Sequence, residues 1–148
     1  MDISEFALRL GCAFIAGVAI GFERQWHHKT AGLRTNTLVA VGSAIYTLIS
    51  LQLVTEQGEV TRVIGQVVTG IGFLGVGIIY KEGLNVHGLT TAATVWCSSA
   101  AGCLAATGFY AETLIATIAI LSINSVLKPF DRWLSNRKKN ENLKEEIE

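Results

Sequence analysis

Charge interrupts this chain only at intervals. Residues 10–22, 35–55, 63–80 and 113–127 contain no Asp, Glu, Lys or Arg, and residues 86–110 contain only His87 as a side chain that ordinarily carries charge. An α-helix crosses the hydrocarbon core of a bilayer with roughly 17–25 largely apolar residues. Five uncharged runs close to that length leave few soluble folds open. Charged residues make up 16% of the 148, against about 25% in a soluble domain. The net charge is zero, half the residues are hydrophobic, and the mean hydropathy is +0.42. These features exclude a soluble enzyme domain, a disordered tail, a collagen-like chain and a nucleic-acid binder with a basic face. The expected class is an all-α polytopic membrane protein whose principal surroundings are the lipid bilayer.

Five helical segments are expected, at about residues 3–22, 35–54, 62–80, 89–107 and 111–127. Each is too long and too uniformly apolar for a barrel strand, which alternates over about ten residues. Helices are required because lipid offers no partners to backbone N–H and C=O groups. Pro129 is expected to stop the fifth segment. The chain opens on Asp2 and Glu5 rather than on basic residues, so the first segment is expected to be a retained helix rather than a cleaved signal.

Basic residues fix the expected orientation. Arg24, Lys29 and Arg34 lie in the first connection and Lys81 in the third. Lys128, Arg132, Arg137, Lys138, Lys139 and Lys144 follow the last segment, and only Arg9 and Arg62 fall elsewhere. The positive-inside rule then puts the N-terminus outside and the C-terminus in the cytoplasm. Residues 1–130 form the expected membrane domain and 131–148 a charged cytoplasmic tail. Trp133 and Leu134 are expected to anchor the tail at the interface, beside a basic stretch suited to anionic lipid.

Gly70-Ile-Gly-Phe-Leu-Gly75 matches the spacing of a dinucleotide fingerprint. It lies inside a span, with no carboxylate about twenty residues on, so no nucleotide is expected. No cofactor pattern and no metal-ligand spacing is visible. Cys12, Cys97 and Cys103 sit in apolar runs and are expected to behave as small buried hydrophobes. The adjacent His27 and His28 do not share a helix face, and no metal is assigned to them. No nucleophile–base set or carboxylate pair suggests an enzyme.

Small residues instead suggest packing. Ala13-x-x-x-Gly17-x-x-x-Gly21 marks the first segment and Ser98-x-x-x-Gly102-x-x-x-Ala106 the fourth, while the third holds Gly65, Gly70, Gly72, Gly75 and Gly77. Small residues four apart let helices approach closely. Either the third segment is crowded on several sides, or it breaks and exposes carbonyls to an ion as discontinuous helices do. Crowding is the preferred expectation. So much small-residue surface also leads to the expectation of a homodimer.

Three polar groups stand out. Glu5 and Arg9, and Arg62 and Gln66, are each four apart and so share a helix face. They are expected to form one polar cluster near the outer surface, or else to act as interfacial anchors. Glu23, Arg24 and Gln25, followed by Gly32, Arg34 and Thr35, lie at the inner side, where a solvated basic loop is the simplest explanation. Gly88, Thr90 and Thr91 open the fourth segment, with a threonine expected to cap it and its N–H groups suited to an anion.

Together, Gly21-Phe-Glu-Arg-Gln25, Ala31-Gly-Leu-Arg-Thr35 and Gly42-Ser-Ala44 resemble the opening of the MgtC/SapB family of bacterial membrane proteins. The stretches from Arg62 to Gly75 and from Val86 to Trp96 are similar to later parts of the same pattern. The resemblance covers about residues 8–108. It implies a multi-pass protein of the bacterial inner membrane, linked to adaptation to magnesium limitation. In the MgtC branch it further implies restraint of the F-type ATP synthase and survival in host cells. Many members of that branch carry a soluble C-terminal domain, which a chain ending at Glu148 is expected to lack. The expected mode of action is contact with itself or other membrane proteins. The alternative is a small ion transporter or channel with a site between the first and third helices. The acidic side chains all lie near segment ends, so a dehydrated divalent cation would meet no carboxylate at mid-depth.

Overall fold

A computed structural model describes residues 1–53, 57–83 and 85–145, with side chains at 57, 58 and 128–145 left aside. The described residues fold into five helices: α1 (Ile3–Trp26), α2 (Leu33–Leu53), α3 (Gln57–Ile78), α4 (Leu89–Ala106) and α5 (Tyr110–Glu145). All five are long and apolar enough to cross a membrane. The protein is therefore all-α and polytopic. A short antiparallel hairpin, β1 (Tyr80–Glu82) and β2 (Asn85–His87), joins α3 to α4, with Tyr80 opposite His87. Gly83 supplies the positive φ of its turn.

Helix starts follow local chemistry. Asp2 caps α1, its carboxylate accepting from the Ile3 N–H at 2.8 Å and from the Ser4 hydroxyl at 2.8 Å. These two bonds hold the Asp2 carboxyl below its ordinary pKa. At the other end of α1, His27 is the C-cap and His28 takes φ +52, a left-handed residue that ends the helix.

Helices α1, α2 and α4 form the centre. Ala13, Ala16 and Gly17 of α1 are buried, as are Ala40, Ala44 and Leu48 of α2 and Ala101, Ala105 and Ala106 of α4. The small side chains bring backbones together, and this packing supplies helix association where lipid removes the usual hydrophobic drive. Helix α3 packs on α2 and α4, and α5 on α4 and α1.

Pro129 does not end α5, which is helical to Glu145. A proline removes one N–H bond, but the residues beyond it are rich in Lys, Glu, Arg and Leu, which favour helix. The helix therefore runs unbroken across residue 130, where the charged tail begins. The expected Trp133–Leu134 anchor and the lipid contact of residues 132–139 lie outside the described side chains.

Candidate functional site

At the Arg24 end of the bundle, the C-terminus of α1 meets the N-termini of α2 and α4. Helix α1 continues one turn beyond the uncharged run, so Glu23, Arg24 and Gln25 are helical rather than part of a loop. Arg24 is only 2% exposed. Its Nη2 donates to Thr91 Oγ1 on α4 at 2.9 Å, while its Nε is buried with no acceptor. Glu23 points elsewhere, its Oε1 lying 3.0 Å from His27 Nδ1 and its Oε2 buried without a donor. A charged residue at the centre of a membrane helix costs about 2.5–3.5 kcal/mol on the insertion scale. Even at the end of a span, a buried guanidinium with a single neutral acceptor is an unusual structure.

Gln25 and Gly32 form a second relationship here. Gln25 Oε1 accepts from the first N–H of α2, that of Leu33, at 3.4 Å. A Cβ on Gly32 would stand 2.2 Å from that oxygen, so glycine is what lets the side chain cross the turn. Arg34 and Thr35 are exposed, and Asn36 after them is fully buried. Asn36 Nδ2 donates to the carbonyls of Ala31 and Gly32, both at 2.9 Å, and its Oδ1 accepts from Ser98 Oγ at 2.9 Å. Deeper between α2 and α4, Ser43 Oγ and Ser99 Oγ lie 2.6 Å apart, and the Thr47 hydroxyl reaches Cys103 Sγ at 3.5 Å. Asn124 of α5 approaches Thr94 Oγ1 at 3.4 Å.

The sequence reasoning missed this internal polar ladder. Its signal was an uncharged polar residue, Asn36 or Asn124, inside an apolar span, where an amide needs partners as surely as a charge does. Cys103 takes part as a weak acceptor, beyond its expected role as packing. All three cysteines are free. Among the described residues, no cluster of three His, Cys, Asp or Glu is placed to hold a metal ion.

The start of α4 differs from expectation. Neither Thr90 nor Thr91 caps it. The N-cap is Gly88 at φ +87, with no side-chain hydrogen bond. A Cβ on Gly88 would stand 2.2 Å from the Ile78 carbonyl oxygen. Thr90 is exposed, and Thr91 is buried and serves Arg24.

At the opposite end, the single outer polar cluster does not form. Arg9 Nη2 pairs with Glu5 Oε1, and its Nη1 donates to the Ala106 carbonyl at 2.7 Å. The guanidinium thus sits at the C-terminus of α4, against the Gly108 turn, where a cation favours the helix dipole. Arg62 lies 3.8 Å from Glu59 and is largely exposed. Gln66 lines a cleft of about 470 Å³ between α2 and α3 and makes no hydrogen bond among the described residues. The two i, i+4 pairs therefore belong to different parts of the bundle.

The glycines of α3 are neither crowded nor broken open. A Cβ at Gly70, Gly72 or Gly77 would meet nothing within 4 Å, and one at Gly75 would only touch Ala92 at 3.7 Å. The helix stays regular through all four positions, with no break at Gly70 or Gly72. Among the described residues, helices α1 and α3 each pack mainly on α2 and α4.

The sequence model of the MgtC family matches residues 10–133. Over 127 residues the chain is 52% identical to Protein MgtC of Brucella abortus, covering 86% of this chain and 53% of that protein. It is 48% identical to Protein MgtC of Salmonella typhimurium over 128 residues, covering 86% and 54%. An uncharacterized protein of Synechocystis is 44% identical over 137 residues, covering 93% and 58%. The chain spans about half the length of these relatives. No solved structure matches it significantly. The match across the membrane core, in both the family model and the named relatives, means that the chain belongs to the MgtC family.

Proposed function

We propose that this protein acts in the bacterial inner membrane without catalysing a reaction, by packing against a second copy of itself and against other membrane proteins, during adaptation to magnesium limitation. The magnesium link, and a further contact with the F-type ATP synthase, rest on family resemblance. The mode of action rests on α3. One stripe of this helix touches α2 and α4, with a cleft of about 470 Å³ on the α2 side and another of about 320 Å³ on the α4 side. Gly65, Gly70, Gly72 and Gly77 are open, and Gln66 has no partner among the described residues. An unpaired amide facing lipid or an apolar cleft is costly, and hydrogen bonds between helices relieve that cost.

The test is assembly in membranes. Gly72→Leu should weaken a crosslinked homodimer and leave the monomer fold intact. Protein that stays strictly monomeric under gentle detergent conditions, and that crosslinks to no membrane partner, would overturn the proposal. Ion flux through purified protein in liposomes would favour the transporter alternative instead. Expression in a bacterium lacking an MgtC-type protein should restore growth at low magnesium.

A further inference from the structure

We infer that the junction of α1 and α4 is a binding site for a phosphate group. Two independent features converge there. The first is Arg24, which is only 2% exposed. Its Nη2 is held by Thr91 Oγ1 and its Nε has no acceptor. No carboxylate among the described residues lies within ion-pair distance of it. Glu23 is its chain neighbour, and adjacent helix positions do not face each other; the Glu23 carboxylate is turned to His27. The guanidinium therefore has no direct ion pair among the described residues, the neighbouring Glu23 acting on it only at longer range, and its Nε is buried without an acceptor. Groups in that position are ordinarily paired.

The second feature is the open N-terminus of α4. Gly88 is the N-cap, and Leu89, Thr90 and Thr91 are the first three helical residues. Their N–H groups precede the first intrahelical bond, from Ala92 N to Gly88 O at 2.8 Å. Ser or Asp would ordinarily cap such an end. Here the positive φ and the Ile78 carbonyl, 2.2 Å from a Cβ at Gly88, bar any side chain. The first turn of α4 and Arg24 meet at Thr91, so the buried guanidinium and the helix N-terminus are placed side by side. An anion bound there would face the N–H groups that open α4 and the Arg24 charge together. A phosphate group suits the place better than a halide, because its several oxygens can take guanidinium and backbone N–H donors together.

Two sources can present that group: the headgroup of an anionic phospholipid, or a soluble phosphate compound. The same site accepts either, and the experiment separates them. Thermal unfolding of the purified full chain is followed in detergent with inorganic phosphate, against chloride at equal ionic strength. In parallel it is followed in nanodiscs of phosphatidylglycerol against phosphatidylcholine. Binding well above the dissociation constant should raise the midpoint by about 3 °C or more in at least one arm. A rise with inorganic phosphate assigns a soluble ligand, and a rise with phosphatidylglycerol alone assigns the headgroup.

Thr91→Asp tests the geometry without removing Arg24. It builds a carboxylate at the place proposed for the anion. The variant should be more stable than the native chain in phosphate-free phosphatidylcholine, and should lose the response to phosphate and to phosphatidylglycerol. Absence of a response in both arms for the native chain would overturn the inference. So would a Thr91→Asp variant that responds like the native chain, or one that is destabilised or fails to fold, because a carboxylate beside Arg24 would then be unwelcome.

Discussion

A Cβ built on Gly102 would stand 2.1 Å from the carbonyl oxygen of Ala40. Helix α4 thus lies directly on the backbone of α2, and glycine is what permits the approach. Gly102→Ala should force the helices apart at a cost of about 1–3 kcal/mol. Gly72→Ala, whose added methyl meets nothing within 4 Å, should be neutral or should stabilise α3 by up to about 1 kcal/mol. Thermal unfolding of the two variants in one detergent gives the comparison. Equal gains at both sites would mean that helix propensity, not contact, governs them.

Arg9 should matter more than its partner Glu5. The carboxylate is 44% exposed, and exposed ion pairs contribute only about 0.2–1 kcal/mol. The bond from Arg9 to the Ala106 carbonyl ties α1 to the end of α4, and hydrogen bonds to charged groups contribute about 1.5–3 kcal/mol. Arg9→Gln is expected to be the larger loss, and Glu5→Gln added to it should change little. Simple addition of the two single losses would show that the residues are not coupled.

The ladder between α2 and α4 makes two contrasting demands. Asn36→Ala strips the Ala31 and Gly32 carbonyls of a donor and the Ser98 hydroxyl of an acceptor. The expected loss is about 1–3 kcal/mol. Ser43 and Ser99 bond mainly to each other. Removing either hydroxyl orphans its partner, whereas Ser43→Ala with Ser99→Ala removes donor and acceptor together. The double variant should therefore be closer to the native chain than the sum of the singles. A double variant that loses as much as the sum would locate the stabilisation elsewhere.

Orientation follows from loop charge and can be read directly. In a cysteine-free background, Gln57→Cys should react with an impermeant thiol reagent from outside intact cells. Asn140→Cys should react only after the membrane is opened. Labelling of both from outside would reverse the expected topology of the C-terminus.

Much of the architecture was legible in the residues alone. A bilayer requires every backbone group of a span to be satisfied within the span, so five uncharged runs could hardly be anything but five helices. The i, i+4 spacing also placed Glu5 with Arg9, because helix geometry decides that pairing locally. What one span presents to another was not legible. Spacing puts Gly17, Gly102 and Gly72 each on a face, but only the fold decides what lies against that face. Gly17 lies against Thr37 and Ala40, and Gly102 against the Ala40 backbone, while Gly72 has no neighbour within the chain. The same limit split Arg62 from Arg9, and it hid the burial of Arg24, which in sequence looks like one more basic residue of a loop. Pro129 shows the converse, a local helix-breaking signal overridden by strong helix formers beyond it. Local covalent geometry and the demands of lipid determine the elements; the pairing of their faces depends on contacts between residues far apart in the chain, which only the tertiary structure decides.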